Sequence, residues 1–383
     1  MNKRNLSIYI HIPFCVRKCN YCDFLSFPAD ETAREAYVET LLAEMKLEAG
    51  KYEGYRTTTV FLGGGTPSLL TVEQVKRILD SLQSCFPFEE SQEPVEVSME
   101  VNPGTVTYEK LLGYRAAGVN RLSIGLQSAE DAELKKLGRI HTYDMFLETY
   151  RAAVLAGFCN INIDLMTALP GQSMVSCRDT LRKVLSLTPK PSHISAYSLI
   201  VEEGTPFGEW QEQGRLQLPS EEAEREMYDL TGRMLQQAGY ARYEISNYAR
   251  EGYECRHNLV YWNRGDYLGL GLGAASMMQN VRMSNETELS AYSRRVARGG
   301  QKPEQQILTV QEQMEETMFL GLRLRKGVGK EQFRCLYGCE MEEVYGQIIQ
   351  KHVKDGLLVN GDFVALTEKG IDVSNYVMAD FLL

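Results

Sequence analysis

Short apolar runs alternate with longer amphipathic stretches along residues 7–199 of this chain. The short runs have strand-like, β-branched composition, and they are Ser7–Ile12, Thr58–Leu62, Val95–Val101, Arg121–Leu126, Ile161–Leu165 and His193–Leu199. The stretches between them have helical periodicity and include Ala33–Leu47, Thr71–Ser84, Tyr108–Ala117, Tyr143–Ala156 and Arg178–Leu187. Such alternation predicts parallel strands with right-handed crossovers. Six repeats without closing residues predict an α/β fold with a partial (β/α)6, TIM-like barrel.

The character of the sequence changes after about residue 205. A segment rich in Tyr and Gly runs from Gly239 to Ser276, and three helical patterns begin at about Thr309. An Asn-Gly pair then separates the apolar runs Leu357–Val359 and Phe363–Leu366, which predicts a β-hairpin. We therefore predict a barrel at 1–205, a linker and extension at 206–300, and a smaller α+β C-terminal domain with a winged-helix-like end at 301–383.

Charge and composition narrow the class of protein. The 383 residues carry a net charge of −10, which argues against a general nucleic-acid or anionic-membrane surface. The nine cysteines are odd in number and mostly scattered, as in a reducing compartment rather than a disulfide framework. The N-terminus lacks the apolar core of a signal peptide, and no apolar run reaches about 18 residues. We expect a cytoplasmic protein with no transmembrane segment.

Cys15, Cys19 and Cys22 form a Cys-x3-Cys-x2-Cys group directly after the first predicted strand. A [4Fe–4S] cluster normally takes four thiolates, but the next cysteine is Cys85. Three ligands would leave one iron with an open coordination site, where a substrate or cofactor could bind. Zinc sites and redox dithiols are the alternatives, but only Cys19 and Cys22 have the Cys-x2-Cys spacing that either would use.

Polar residues recur where the predicted strands end. The second strand runs into a glycine turn, and the residues at this and the later strand ends are Gly64, Gly65, Thr66, Glu100, Gln127 and Asp164. Arg139 is predicted to start the helical region that follows the fourth strand. Ligands of parallel α/β folds gather at the carboxyl ends of the strands. A glycine run alone is also typical of a tight turn, and any one polar residue could serve as a strand cap. As a set, they predict a polar ligand site.

The segment Arg256–Trp262 places a histidine among aromatic residues. His257, with Tyr261 and Trp262, could bind a haem iron or stack on a porphyrin. The alternative is a histidine that bonds to backbone groups in an aromatic core. The glycines of Gly265–Ser276 suit close approach to a planar ligand, or a flat strand packed on the barrel.

With these motifs in hand, the chain resembles the radical S-adenosylmethionine (SAM) family that includes oxygen-independent coproporphyrinogen III oxidase and the HemW haem chaperones. The resemblance rests on YIHIPFC with the cysteine group, GGGTPS, EVNPGT, LSIGLQS, IDLMTALPGQ, HNLVYW, GLGLGAAS and a C-terminal LGLRL…LTEKG. Phe24 stands where the oxidase has a fourth cysteine, and only fourteen residues precede Cys15. With the H-N-x-x-Y-W run, these features favour the HemW branch.

The resemblance implies a [4Fe–4S] cluster held by Cys15, Cys19 and Cys22. The positions that match SAM contacts of the family are Tyr9, Gly64, Gly65, Thr66, Glu100, Gln127, Arg139 and Asp164. The sequence departs from the residues usual in the family at Thr167-Ala168 and Ala275. These departures concern the details of substrate binding rather than membership of the family.

The function implied is that of a haem chaperone, with haem as cargo bound at the barrel mouth or near His257, Tyr261 and Trp262. Its clients would be haem-requiring proteins, including membrane-bound respiratory enzymes that could bring it to the membrane periphery. The resemblance leaves a homodimer open. The alternatives are coproporphyrinogen oxidation, with radical decarboxylation of propionates, and an unrelated radical-SAM modification, which the C-terminal match disfavours. SAM cleavage remains open in a chaperone, whereas coproporphyrinogen turnover is not expected.

Overall fold

A parallel sheet carries the N-terminal half of the molecule, which a computed structural model describes over residues 3–86, 88 and 94–383. Its first six strands are β1 (Arg4–Ile12), β2 (Tyr55–Gly64), β3 (Glu96–Val101), β4 (Arg121–Gln127), β5 (Asn160–Thr167) and β6 (His193–Ser198). The helices among them are α1 (Glu31–Glu48), α2 (Val72–Cys85), α3 (Tyr108–Ala116), α4 (Asp131–Lys136), α5 (Tyr143–Leu155) and α6 (Met174–Leu185). Consecutive strands pair in parallel, and in the described residues β1 does not pair with β6. The predicted partial barrel is confirmed.

Helix starts follow from local chemistry. Thr71 caps α2 and Ser173 caps α6, each in a reciprocal capping box, while Asp30, Thr107 and Thr142 accept a backbone N–H at the starts of α1, α3 and α5. These side chains satisfy amide groups that have no partner within the helix. The sequence therefore contains the stop and start signals that separate each strand from its helix.

The region after β6 extends both edges of the same sheet. Its elements are α7 (Pro206–Glu212), α8 (Glu221–Gln237), β7 (Ala241–Arg242), β8 (Asn247–Ala249), α9 (Arg256–Trp262), β9 (Tyr267–Leu270), β10 (Ala275–Met278), β11 (Val281–Ser284), α10 (Leu289–Ala297) and β12 (Glu304–Ile307). Strand β8 pairs antiparallel with β6, and β9 pairs parallel with β1, so the sheet reaches twelve strands in the described residues. This continuity was not predicted from the sequence, because these strands are only two to four residues long.

The C-terminal region has its own small core. Its elements are α11 (Val310–Gly321), β13 (Val328–Gly329), α12 (Lys330–Tyr337), α13 (Met341–Lys354), β14 (Leu358–Asn360), β15 (Phe363–Leu366), α14 (Glu368–Asp372) and α15 (Ser374–Ala379). The sheet order β13-β15-β14 and the predicted hairpin give the α+β, winged-helix-like end expected from the sequence. Phe333, Tyr345 and Phe381 are fully buried at its centre.

Helix α9 lies within the barrel and was not predicted as a helix. The Glu96 carboxylate, at the start of β3, accepts hydrogen bonds from the backbone N–H groups of Arg256 and His257, each at 3.1 Å. These two amides begin the helix and have no partner within it. The capping group lies about 160 residues away in the sequence, so no local signal marks this helix.

Polar side chains line the inside of the barrel. Along β3–β5, apolar residues such as Met99, Ile124 and Ile163 are fully buried on one face, and alternate residues point to the other face. The inward residues include Glu100, Ser123, Asn162 and Asp164, which surround an internal cavity. Complete TIM barrels usually fill this space with branched apolar side chains. The polar lining leaves room for ligands inside this barrel.

Candidate cofactor site at the mouth of the barrel

A cavity at the carboxyl ends of the strands, called the outer cavity below, gathers most of the predicted site. The predicted residues that line it are Cys15, Cys19, Cys22, Gly64, Gly65, Thr66, Glu100, Gln127, Arg139 and Asp164. They come from four strand ends and two loops, and sequence separation gives no hint of their proximity. The location agrees with the general placement of ligand sites in parallel α/β folds.

The cysteine loop leaves β1 and is anchored by backbone hydrogen bonds. The Cys15 N–H donates to the Phe27 carbonyl at 3.1 Å, and the Cys22 N–H donates to the Cys19 carbonyl at 3.3 Å. All three cysteines are free thiols of intermediate exposure. Burial raises the pKa of the Cys22 thiol to about 11, so this thiol is protonated until a metal displaces the proton.

The donor set suits a cluster rather than a single ion. Within the described part of the chain, no group of three His, Cys, Asp or Glu side chains has single-metal spacing. Three soft thiols that face one cavity are the ligand type of iron–sulfur clusters, in which each thiolate binds a different iron. Next to them, Thr66 Oγ1 lies 3.4 Å from Cys15 Sγ, and Arg139 Nη1 donates to Cys19 Sγ at 3.7 Å. These two side chains would stabilise the negative charge of thiolates bound to a cluster.

The glycine turn after β2 packs directly against the cysteine loop. The Gly65 N–H donates to the Ile12 carbonyl at 2.9 Å, and the Thr66 N–H donates to the Phe14 carbonyl at 2.7 Å. A Cβ atom on Gly65 would lie 2.7 Å from the Phe14 carbonyl oxygen, so only glycine fits this approach. The two segments therefore form one rigid wall of the outer cavity.

Two carboxyl groups share the floor of this cavity. Burial, and then the nearby Asp164, raise the pKa of Glu100 to about 8, while the Gly64 N–H donates to its carboxylate at 3.0 Å. Burial also raises the pKa of Asp164, which accepts hydrogen bonds from Ser123 Oγ at 3.0 Å and Asn162 Nδ2 at 2.7 Å. Two close carboxyls that resist ionisation together favour a cationic ligand, which would neutralise them.

Gln127 and Arg139 also line the outer cavity. Gln127 has a left-handed φ of 64°, and its Oε1 atom is buried with no partner in the described residues. Arg139 Nη2 donates to the Gly125 carbonyl at 2.9 Å and to Asn102 Oδ1 at 2.8 Å. An orphaned acceptor beside a fixed guanidinium is the arrangement expected where a ligand supplies the missing donor. Arg139 lies in the loop after α4, not at a helix start as the sequence suggested.

The remaining predicted residues lie deeper or elsewhere. Tyr9 lines a second cavity inside the barrel, called the inner cavity below, and its hydroxyl contacts His11 Nδ1 at 2.9 Å. His257 and Tyr261 line the same inner cavity. Trp262 lines neither cavity, and the Arg323 guanidinium stacks over its ring at 4.3 Å.

His257 is enclosed by its neighbours. Its ring is 1% exposed, its Nδ1 contacts Thr59 Oγ1 at 2.8 Å, and its Nε2 contacts the Tyr261 hydroxyl at 2.9 Å. Burial lowers the pKa of this imidazole to about 3, so it is neutral. A neutral imidazole can bind iron, but here both ring nitrogens have partners, so ligation would break one of these contacts.

Sequence reasoning missed several residues of the site. Asn102 Nδ2 donates to Thr66 Oγ1 at 2.8 Å while its Oδ1 accepts from Arg139, so it connects two walls. Its signal was its place two residues after Glu100 at a strand end. Tyr197 lines both cavities, and Arg121 lines the inner one. No sequence signal marks Arg121, because only the register of β4 turns it inward.

Family models match two parts of the chain. The model of the Radical SAM superfamily matches residues 9–184, and that of the HemN C-terminal domain matches residues 308–373. The open barrel and the three-cysteine loop thus define a protein of the radical-SAM class, which implies a [4Fe–4S] cluster and SAM. No helix in the described ranges has the length and apolarity needed to cross a membrane.

The relatives narrow the class further. The chain is 36% identical to a Lactococcus lactis protein named "Heme chaperone HemW", covering 98% of this chain and 97% of the relative. The Bacillus subtilis protein of that name is 37% identical, with 98% and 99% covered, and the Escherichia coli one is 42% identical, with 70% and 69% covered. The chain belongs to the HemW family of radical-SAM proteins.

A solved structure confirms the fold. The coproporphyrinogen III oxidase HemN of Escherichia coli, described as a radical-SAM enzyme, aligns with a TM-score of 0.86 and 24% identity. The alignment covers 100% of this chain and 91% of that one. At this identity the likeness speaks for the architecture, including the C-terminal region, and not for a shared reaction.

Proposed function

We propose that this protein is a haem chaperone, which binds haem and transfers it to haem-requiring proteins while it carries a SAM-binding [4Fe–4S] cluster. The observation that carries the proposal is the likeness to proteins named haem chaperones over 98% of this chain. The outer cavity supports the cofactor part, because three thiols face the polar groups that a SAM molecule needs. Coproporphyrinogen turnover is not expected.

The cluster would be held by Cys15, Cys19 and Cys22, with its fourth iron open to SAM. Phe24 follows this loop, lines the same cavity and is 63% exposed, and its ring cannot supply a fourth ligand. A bound cluster would be able to supply an electron to SAM. The residues of the outer cavity would orient the cluster and SAM. Thr66 and Arg139 would stabilise the negative charge of the thiolates.

The SAM site would use the charges already described. Glu100 and Asp164 would bind the cationic end of SAM, since a positive group lowers the cost of ionising both carboxyls. Gly64, Gly65 and Thr66 form the polar turn beside them, and Gln127 and Arg139 line the same cavity. Tyr9 stands below this group, in the inner cavity.

Haem would bind at the barrel mouth or at α9. At the mouth, Val16, Phe24 and Ile140 line the outer cavity and are 57%, 63% and 54% exposed, so they offer an apolar surface to a porphyrin face. His257, Tyr261 and Trp262 remain the predicted haem site on α9. That mode requires α9 to shift, because His257 is buried and bonded on both nitrogens.

Clients and assembly are further parts of this proposal. Haem-requiring proteins, membrane-bound respiratory enzymes among them, would accept the cargo, and a homodimer is a candidate form for transfer. Membrane clients would hold the otherwise cytoplasmic protein at the membrane periphery. Equilibrium sedimentation with and without the cluster and haem would determine the assembly state.

The second candidate is an oxygen-independent coproporphyrinogen III oxidase. The observation in its favour is the complete polar lining of the outer cavity, which suits SAM chemistry as well as SAM binding. In that case the site would drive oxidative decarboxylation of substrate propionates. The absence of a fourth cysteine at Phe24 separates the candidates.

The test is a paired assay on one anaerobically reconstituted preparation. Haem is titrated and the Soret band followed, and coproporphyrinogen III is incubated with SAM and reductant. Saturable haem binding without decarboxylated product supports the chaperone. Product formation without haem binding would identify an oxidase. Neither activity, at full iron content and with SAM bound, would refute both candidates.

A further inference from the structure

The inner cavity contains a buried arginine that forms no ion pair within the described part of the chain. Arg121, at the start of β4, is 2% exposed, and in the described residues no carboxylate oxygen lies within 4.0 Å of its guanidinium. The one hydrogen bond found for it is a long one, from Nη1 to Ser98 Oγ at 3.4 Å. Its Nε is fully buried and has no partner in the described residues. A buried charge without a partner is costly, so such groups usually meet an ion or a ligand.

The carboxylates nearest to Arg121 are used elsewhere. Glu96 accepts the two backbone N–H groups that begin α9, and the thiol of Cys255 donates to it at 3.7 Å. Asp164 accepts hydrogen bonds from Ser123 and Asn162. In the described residues neither carboxylate forms a direct ion pair with the guanidinium. Burial lowers the pKa of Arg121, but the nearby Cys255, Glu96 and Asp164 outweigh it, so the side chain stays cationic inside the barrel.

The space beside Arg121 is large enough for a small molecule. The inner cavity has a volume of about 280 Å³ and is lined by Tyr9, Phe61, Glu100, Arg121, Ser123, Asn162, Asp164, Ser195, Tyr197, Asn247, His257, Asn258 and Tyr261. Glu100, Ser123, Asp164 and Tyr197 also line the outer cavity, so the two spaces adjoin.

A second polar atom in the same cavity lacks a partner. Asn247, on β8, is 8% exposed, and its Oδ1 has no hydrogen-bond donor in the described residues. In the described residues, an unpartnered donor and an unpartnered acceptor thus lie on different strands of the cavity wall, both beneath its accessible surface. Both histidines near Arg121 have pKa values lowered by burial and then by its charge, so His193 and His257 are neutral. Among the described residues that line the inner cavity, Arg121 is therefore the one that carries a positive charge.

We propose that the inner cavity is a binding site for a small carboxylate, whose oxygens pair with the Arg121 guanidinium. A guanidinium presents parallel N–H groups that match the two oxygens of a carboxylate. The amides of Asn247 and Asn258 would bind further polar groups of the same molecule. The site adjoins the proposed SAM site, with which it shares Glu100 and Asp164, and it does not depend on the proposed chaperone function.

The test uses trifluoroacetate as the probe, followed by ¹⁹F NMR on the full chain at matched iron content. Binding to the wild-type protein should broaden the ¹⁹F line of trifluoroacetate, and the effect should saturate as the trifluoroacetate concentration rises. Arg121→Met should weaken the apparent affinity for trifluoroacetate at least ~10-fold. Arg121→Lys keeps the charge but loses the parallel donors, so its affinity should lie between those of the wild type and Arg121→Met. Arg178→Met, on the exposed face of α6, removes the same charge far from the cavity and should match the wild type.

Equal broadening by the wild type and Arg121→Met would overturn the proposal, as would a wild-type response that never saturates. A cavity that holds only water gives the second result. Should Arg121→Met fail to fold, wild-type crystals soaked in sodium bromide provide a second measurement. An anomalous peak within hydrogen-bond distance of Arg121 is expected, and bromide peaks confined to the outer surface would refute the site.

Discussion

Glu100→Gln should stabilise the protein at alkaline pH, because the wild-type carboxyl must ionise where it is poorly solvated. The folded state holds its pKa at about 8, above the usual 4.5, through burial and the adjacent Asp164. The folded state therefore binds more protons than the unfolded one, and this group's contribution to stability falls as the pH rises from 4.5 to about 8. The full shift corresponds to at most about 5 kcal/mol. Because the carboxyl faces a solvated cavity, we expect a gain of about 2 kcal/mol for the variant at pH 8.5.

Urea unfolding of the cluster-free chain from pH 5 to 8.5 measures this difference directly. The advantage of Glu100→Gln over the wild type should grow with pH across that range and be smallest at pH 5. Glu221→Gln, which removes an exposed carboxyl at the start of α8, serves as the matched control and should show no such trend. A difference that is independent of pH, or a variant that is less stable at pH 8.5, would refute the reasoning about Glu100.

Three further predictions address the cofactor and haem sites. The affinity of the reconstituted protein for SAM should fall as the pH drops below about 8, because Glu100 must give up a proton to bind a cation. Equilibrium dialysis from pH 6 to 9 measures this affinity, and an affinity that does not change with pH would contradict the prediction. Gly65→Ala should cost about 2–4 kcal/mol in urea unfolding and lower the iron content, because the new Cβ meets the Phe14 carbonyl; Gly361→Ala, in open space, is its control. His257→Ala should weaken haem binding in a Soret titration while the cluster absorbance stays intact, and unchanged affinity would remove His257 from the haem site.

Local patterns in the sequence were enough for the barrel and for most of the outer cavity. Strand runs, helix periodicity and capping residues such as Thr71 act over a few positions, so they can be recognised without tertiary structure. The cysteine spacing and the strand-end positions of Glu100 and Asp164 are likewise local. The rule that ligands gather at the carboxyl ends of parallel strands then brings these residues to one cavity, as found.

Contacts between distant segments account for what the sequence could not show. Helix α9 begins where it does because the carboxylate of Glu96, at the start of β3, caps it. The edges of the sheet are extended by strands that are too short to show a periodic pattern in the sequence. The enclosure of His257, and the lack of an ion-pair partner for Arg121 among the described residues, depend on which groups other elements place around them. Burial and pairing are properties of the assembled neighbourhood and not of a residue or its spacing, so only the folded chain reveals them.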